Sequence, residues 1–398
     1  MRWILFVLGM LLLMGVEILR VYFIMPFPGS QEDNTLAIAY FLQGNIFYFR
    51  LLGIAIVAYP AYQLVKSPNT WVRWPAIVVL SFWLLIVYAF NFRFLADKMF
   101  YPVKTKRMVT LAENKVPVEQ LVVGVSVEGE SRAYPIEIIG YHHQVRDTLA
   151  GEPIMVTYCT VCRTGRVFTP RVDGQVEQFR LVGMDHYNAM FEDSRTKSWW
   201  RQVNGEAVAG PLKGQSLPEI PSRQMTLEAW ATLYPDTKVL QPDSTFIHAY
   251  EGLADYDEGK MRGRLEGKDS VSWRDKSWVV GLLAGNEPRA YDWIELLQVR
   301  AVNDVVGSVP VLVVIEPDSA SFHAFHREVG GDVLDFRPSE DGQYLVDAKT
   351  GSKWTWRGAC VEGPLAPNQL RLVQSYQEYW HSWRTFHPNA TRYTISAQ

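Results

Sequence analysis

VVGVSVEGESRAYPIEIIGYHHQVRDTLAGEPIMVTYCTVCRTGRVF, starting at Val122, and VVGLLAGNEPRAYDWIELLQVRAVNDVVGSVPVLVVIEPDSASFHAF, starting at Val279, follow one pattern. Arg132-Ala133-Tyr134 stands opposite Arg289-Ala290-Tyr291, Asp147 opposite Asp304, Pro153 opposite Pro310 and Phe168 opposite Phe325. The match continues downstream. Phe179-Arg180 pairs with Phe336-Arg337, DSRTKSWW from Asp193 with DAKTGSKWTW from Asp347, and Gly210-Pro211-Leu212 with Gly363-Pro364-Leu365. Trp230 before LYPDT pairs with Trp383 before FHPNAT. Self-similarity at a steady spacing reads as a tandem duplication. In each copy a short β-branched run, IMVTY or VLVVI, is bounded by Gly and Pro, and turn signals such as VDGQ, VNGE and EDGQ recur. The expected class is a mostly-β (α+β) region of two tandem β-rich repeats at 112–240 and 279–398. Each is expected to be a small barrel or sandwich with one short helix near its end, TLEAWATLY in the first and YQEYWHSWRTF in the second. Residues 241–278, rich in Asp, Gly, Lys and Arg, read as a linker or insertion between them.

The chain before the repeats is of another kind. Overall the 398 residues are 48% hydrophobic and 20% charged with net charge -3, which excludes a disordered chain and argues against a nucleic-acid binder. The apolar residues are concentrated in 1–97. The run WILFVLGMLLLMGVEILRVYFIM from Trp3 is long enough for a hydrocarbon core, which takes about 20 residues. No small-x-small cleavage site follows, so it reads as an uncleaved span. Three transmembrane helices are expected at about 3–24, 45–65 and 74–93, with 35–49 either extending the second or lying in the interface. Arg2, Lys66 and Arg73 flank one side of these spans, while the loop MPFPGSQEDNT carries Glu32 and Asp33 and no Lys or Arg. The positive-inside rule then puts the N-terminus in the cytoplasm and the repeats outside, against the contrary basic run Arg93, Lys98, Lys104, Lys106 and Arg107. The expectation is a multi-pass protein of a bacterial inner membrane with its C-terminal domains in the periplasm. Its partners would be the lipid bilayer and a membrane or periplasmic protein, not nucleic acid.

Reactive residues set the two copies apart. His142 and His143 face Val299 and Arg300, and Cys159 and Cys162 face Glu316 and Ser319. His186 lies in LVGMDHYNAMFE, where the second copy is shorter. One functional site is therefore expected, on the first copy. Cys159-Thr160-Val161-Cys162 stands between two strand-like runs, without the helix N-terminus that lowers a thiol pKa in thioredoxin-type sites. Such a turn can present two sulfurs to one metal, and His142 can add a nitrogen. Mixed His and Cys ligation suits copper, then zinc. Cys159 and His142 are the expected ligands, with Cys162 and His186 as third and fourth, and Asp147 and Asn188 as the groups that orient them. Two alternatives stand beside this metal centre for redox or metal handling. One is a thiol–disulfide oxidoreductase using Cys159 and Cys162. The other is a non-catalytic periplasmic binding or scaffold module. With no nucleotide loop, HExxH or local Ser-His-Asp spacing, no nucleotide cofactor is expected.

The segments YHHQVRD and EPIMVTYCTVCRTGRVF resemble an uncharacterised bacterial family, domain-of-unknown-function family 3179. The resemblance covers roughly 115–390. It places His142, Asp147, Cys159 and Cys162 on the family's His, Asp and two Cys positions, of which the second Cys is the more variable. Gly183, Tyr187 and Asn188 fit its middle pattern, and Asp193, Thr196, Ser198 and Trp200 its last. His143 and Arg146 depart from the usual acid and Asn, and His186 has no family position. The resemblance implies no activity.

Overall fold

Three helices open the chain, Arg2–Tyr22, Leu36–Val65 and Thr70–Phe92, of 21, 30 and 23 residues. At ~1.5 Å per residue the shortest is about 30 Å long, the thickness of a bilayer core. All three are long and apolar enough to cross a membrane. The stretch 35–49 is part of the second helix. Two glycines let the first and second helices meet closely. A Cβ on Gly9 would lie 2.3 Å from Val57 Cγ2, and one on Gly53 would lie 2.5 Å from Leu13 Cδ2. The charged residues in these helices do not all point outward. Glu17 is buried, and its carboxylate accepts from Arg50 Nε (2.5 Å), Arg20 Nη2 (3.2 Å) and Asn91 Nδ2 (3.0 Å). Arg20 also donates to Gln43 Oε1 at 3.0 Å. One polar knot thus ties all three helices together.

In this computed structural model, which describes residues 1–394, the chain divides into two units: Met1–Tyr101 with Glu177–Ser216, and Pro102–Val176 with Leu217–Gln398. The first unit adds a four-stranded antiparallel sheet to the helices, Phe179–Asp185, Asn188–Asp193, Trp199–Arg201 and Ala207–Ala209. Ile24 O accepts from Met184 N–H at 2.7 Å, and the Tyr40 ring meets Trp199 edge-on at 5.0 Å.

The second unit is built on strands buried on both faces, which explains the unbroken apolar run LVVGV. In Leu121–Val127, residues Leu121, Val123 and Val125 pack with Tyr134, Val156 and Tyr158, whereas Val122 packs with Trp230. In Trp278–Ala284, Val280 and Leu282 face Tyr291 and Val313, whereas Val279 packs with Trp383. Gly124 and Gly281 lie under those two tryptophans. A Cβ on either would stand 2.3 Å from the indole Cε3. Each buried indole removes about 150–250 Å² from water, roughly 4–6 kcal/mol at ~25 cal/mol per Å².

The order of elements is the same in the two halves. Leu121–Val127 pairs with Glu130–Pro135 and Ser222–Thr226, and Lys238–Leu240 adds a parallel strand. Trp278–Ala284 pairs with Glu287–Asp292 and Ser375–Tyr379, and Thr391–Arg392 adds the parallel strand. A second sheet of each half holds Gln144–Leu149, Glu152–Cys159 and Thr164–Phe168, or Ala301–Val306, Val309–Ile315 and Phe322–His326.

Two expectations need correction. Closure of a barrel requires first and last strands to pair. Here every sheet is open, and no such pairing occurs among the described residues. Each half also carries two short helices rather than one. Leu227–Leu233 and Trp380–Phe386 are the expected pair, and Ile136–His142 and Trp293–Val299 are the additional ones. All four helices have seven residues, and the first additional one carries Ile136, Ile138 and Ile139, β-branched residues that read as strand. Both extra helices end at a residue in the left-handed region, His143 (φ 60) and Arg300 (φ 62).

Candidate functional site

Strand Glu152–Cys159 is buried from Ile154 onward and delivers Cys159 to its end, opposite Thr164. The chain then turns through Thr160, Val161, Cys162 and Arg163, with Arg163 at φ 57. Both sulfurs are fully buried and neither is in a disulfide. Three successive carbonyls of the turn are held from outside it. Thr160 O accepts from Tyr256 OH at 2.8 Å, and Cys162 O accepts from Tyr379 N–H at 2.9 Å. Val161 O accepts from Lys276 Nζ at 2.8 Å and stands 3.1 Å from His381 Nε2. Arg163 is buried and donates to Gln377 Oε1 (2.8 Å), Tyr256 O (3.0 Å) and Asp257 O (2.9 Å). Its guanidinium lies 3.6 Å from the centre of the Trp278 ring. At about 0.5–1.5 kcal/mol per hydrogen bond, these anchors fix the turn by several kcal/mol.

The donors come from residues 256–276 and from the second half, far along the chain. Lys276 matters most for chemistry. Burial pulls its ammonium below the ordinary lysine value, and Cys162 and then Cys159 are the strongest of the groups that pull it back up. A lysine ammonium beside a thiol favours the thiolate. His381, 3.3 Å from Lys276 Nζ, is pushed down to about 3 by burial and by that lysine, so it is neutral at pH 7. Burial also raises the Tyr379 phenol to about 12. The turn therefore holds two sulfurs, the Lys276 ammonium, the Arg163 guanidinium and a neutral imidazole.

The other expected site residues are placed as follows. His142 ends helix Ile136–His142, and its Nε2 lies 2.6 Å from Tyr250 OH. His143 is buried and pushed to about 4 by burial. Its carbonyl accepts from Tyr158 N–H at 3.0 Å, which brings the helix end against the cysteine strand. Asp147 accepts from Tyr134 OH at 2.8 Å, and Asp304 accepts from Tyr291 OH at the same distance. A contact made in both halves serves the fold. His186 belongs to the first unit, with Nδ1 2.7 Å from Asp185 Oδ1. Asn188, also in the first unit, donates to Gln202 Oε1 (3.1 Å) and accepts from Val203 N–H (3.0 Å). No group of three or more His, Cys, Asp or Glu side chains able to hold a metal occurs among the described residues.

Asp193 and its neighbours form a turn of the same structural kind in both halves. Asp193 accepts from Thr196 N–H and hydroxyl and from Trp200 Nε1; Asp347 accepts from Thr350 N–H and hydroxyl and from Trp354 Nε1. Where the first half has Cys159, the second has buried Glu316, gripped by His323 Nε2 (2.7 Å) and Arg357 Nη2 (2.9 Å).

Lys276, His381 and Tyr256 are the members of the cysteine site that sequence reasoning missed. Tyr256 and Lys276 lie in the stretch read as a linker and His381 in an expected helix, and only the tertiary fold brings them to the turn. The family model described as Protein of unknown function (DUF3179) matches residues 102–390. No curated protein matches the chain, and no solved structure does.

Proposed function

The chain belongs to the DUF3179 family of proteins of unknown function, and from the geometry of its cysteine turn we propose a membrane-anchored dithiol redox protein. The observation that carries this reading is the Lys276 ammonium on the turn between Cys159 and Cys162. In the proposed cycle the Lys276-supported thiolate attacks a disulfide of a protein or small-molecule partner. A mixed disulfide forms and one partner thiolate leaves. The second cysteine then gives up its proton and attacks the mixed disulfide. This yields Cys159–Cys162 disulfide and a partner reduced to two thiols. Two electrons pass from the cysteines to the partner. Because both sulfurs are buried, entry requires local opening of the turn.

Three further parts of the reading support it. The helices cross the bacterial inner membrane. The connection between the first two helices packs on the sheet of the first unit through Ile24 and Gln31, and Asp97 beyond the third helix lies 3.7 Å from Arg180. In this reading the two connections lie on one side of the membrane and the N-terminus, Lys66 and Arg73 on the other. The positive-inside rule makes the latter side cytoplasmic, leaving the cysteines in the periplasm, where disulfides persist. The parallel element order of the two halves reflects a tandem duplication, after which one copy kept cysteines and the other a Glu–His–Arg cluster.

The test is redox titration of the full chain in detergent micelles with glutathione buffers, read by mass spectrometry of alkylated cysteines. A reversible Cys159–Cys162 disulfide is expected. Its absence under all oxidising ratios would overturn the proposal. Copper, then zinc, on the same two sulfurs is the second reading, favoured because one ammonium offsets part of the charge of a bis-thiolate site. His142 would join as a ligand only by leaving Tyr250. Stoichiometric metal in the anaerobically purified chain, lost in Cys159→Ser, would favour that reading.

A further inference from the structure

A cleft of about 400 Å³ opens in the second unit between Ser222–Thr226 and Phe322–His326, a volume suited to a small molecule. Its wall is apolar at Phe322, Leu372 and Val373 and cationic at Arg223 and Arg371. No carboxylate lines it among the described residues. Arg223 Nη2 lies 3.3 Å from His323 Nδ1, and the other ring nitrogen of His323 is on Glu316. Burial pushes His323 to about 4, so at pH 7 it is neutral and donates from Nε2 to the carboxylate. Glu316 is itself matched by Arg357. Three guanidiniums against one carboxylate leave positive charge in excess. Arg223 Nε is buried with no hydrogen-bond partner, while the guanidinium also meets the Tyr234 phenol, another residue of the cleft wall. Leaving such a donor unpaired is costly.

The fold does not call for an arginine there. Arg223 pairs across from Gly124, and the matching residue across from Gly281 is Tyr376. The glutamines that follow, Gln224 and Gln377, are kept in both strands. We propose that this cleft binds a small organic anion, a carboxylate- or phosphate-bearing molecule with a short apolar body. Its charged end sits on Arg223 and Arg371, whose planar forks suit either oxyanion, and its apolar part lies on Phe322, Leu372 and Val373. The site stands apart from the thiol reading and does not depend on it.

The experiment is isothermal titration of the full chain in a non-ionic detergent with butyrate, butyl phosphate and inorganic phosphate. Butyrate or butyl phosphate is expected to bind one per chain with a submillimolar Kd, and which of the two binds tighter identifies the head group. Arg223→Gln weakens binding at least tenfold and Arg223→Lys less. Arg371→Gln, at an exposed position, weakens it several-fold and keeps the test valid if Arg223→Gln does not fold. Absence of binding by all three probes would overturn the proposal, as would undiminished affinity in both folded arginine-to-glutamine variants.

Discussion

Replacing Lys276 with Met separates the chemistry of the cysteine turn from its architecture. The ammonium donates to Val161 O at 2.8 Å and also to Leu265 O. Losing both bonds costs about 1–3 kcal/mol, less than the stability of a typical domain, so the turn should remain folded. The electrostatic effect is larger in proportion. Cys162 and Cys159 act electrostatically on Lys276, and an adjacent opposite charge lowers an acid's pKa by about 1–3 units, so removing the ammonium raises the thiol pKa by an amount of that order. The assay is thiolate absorbance near 240 nm against pH for the full chain, with the Cys159→Ser/Cys162→Ser double variant subtracted. This reads ionisation directly and needs no reagent to reach buried sulfur. Lys276→Met should move the transition up by about 1–3 pH units, and Lys276→Arg should leave it near the parent value. An unmoved transition in a folded Lys276→Met chain would refute the claim that this lysine supports a thiolate.

Other substitutions test the frame around the site. Gly124→Ala and Gly281→Ala each force a methyl to within 2.3 Å of an indole carbon, and each should cost about 1–3 kcal/mol by denaturant or thermal unfolding. Equal effects are expected, and a neutral result at either would contradict the packing described. Glu17→Ala leaves Arg20 and Arg50 without their shared carboxylate and should destabilise the helices by about 3–5 kcal/mol, seen as a lower Tm in detergent. Burial holds His143, His323 and His387 at about 4 and His381 at about 3, all below the value of 6.5. The unfolded chain therefore takes up protons first, so stability is complete above pH 6.5 and falls as pH drops toward 4. Asp257, raised to about 6 by burial, acts in the opposite sense between its unfolded value and 6. A net fall in Tm from pH 7 to pH 5 is expected, and a rise would show that the histidines are not buried neutral.

The three apolar helices were legible from composition, and the strands Glu152–Cys159 and Val309–Ile315 from β-branched runs between Gly and Pro. The strand–turn–strand setting of Cys159 and Cys162 was legible too, because TYCTVCRTG has no helical signal. The open sheets were not, since the pairing of edge strands depends on contacts no local pattern records. The helix at Ile136 was hidden because Ile136, Ile138 and Ile139 read as strand residues. His142 invited reading as a metal ligand because its tyrosine partner is 108 residues away. Lys276 and His381 were silent for the same reason. Asp147 illustrates the converse: its opposite number Asp304 was visible in the sequence, and that pairing was already a sign of a shared fold contact.

The grip on the cysteine turn also bears on how the family is built. Tyr379 and His381, which hold Cys162 O and stand at Val161 O, lie in strand Ser375–Tyr379 and helix Trp380–Phe386, near the end of the second half. Relatives that lost the second half would need another module, or a second polypeptide, to offer an amide to that carbonyl. The spacing between cysteines and these distant residues should therefore tolerate insertions in surface loops far better than truncation at the C-terminal end.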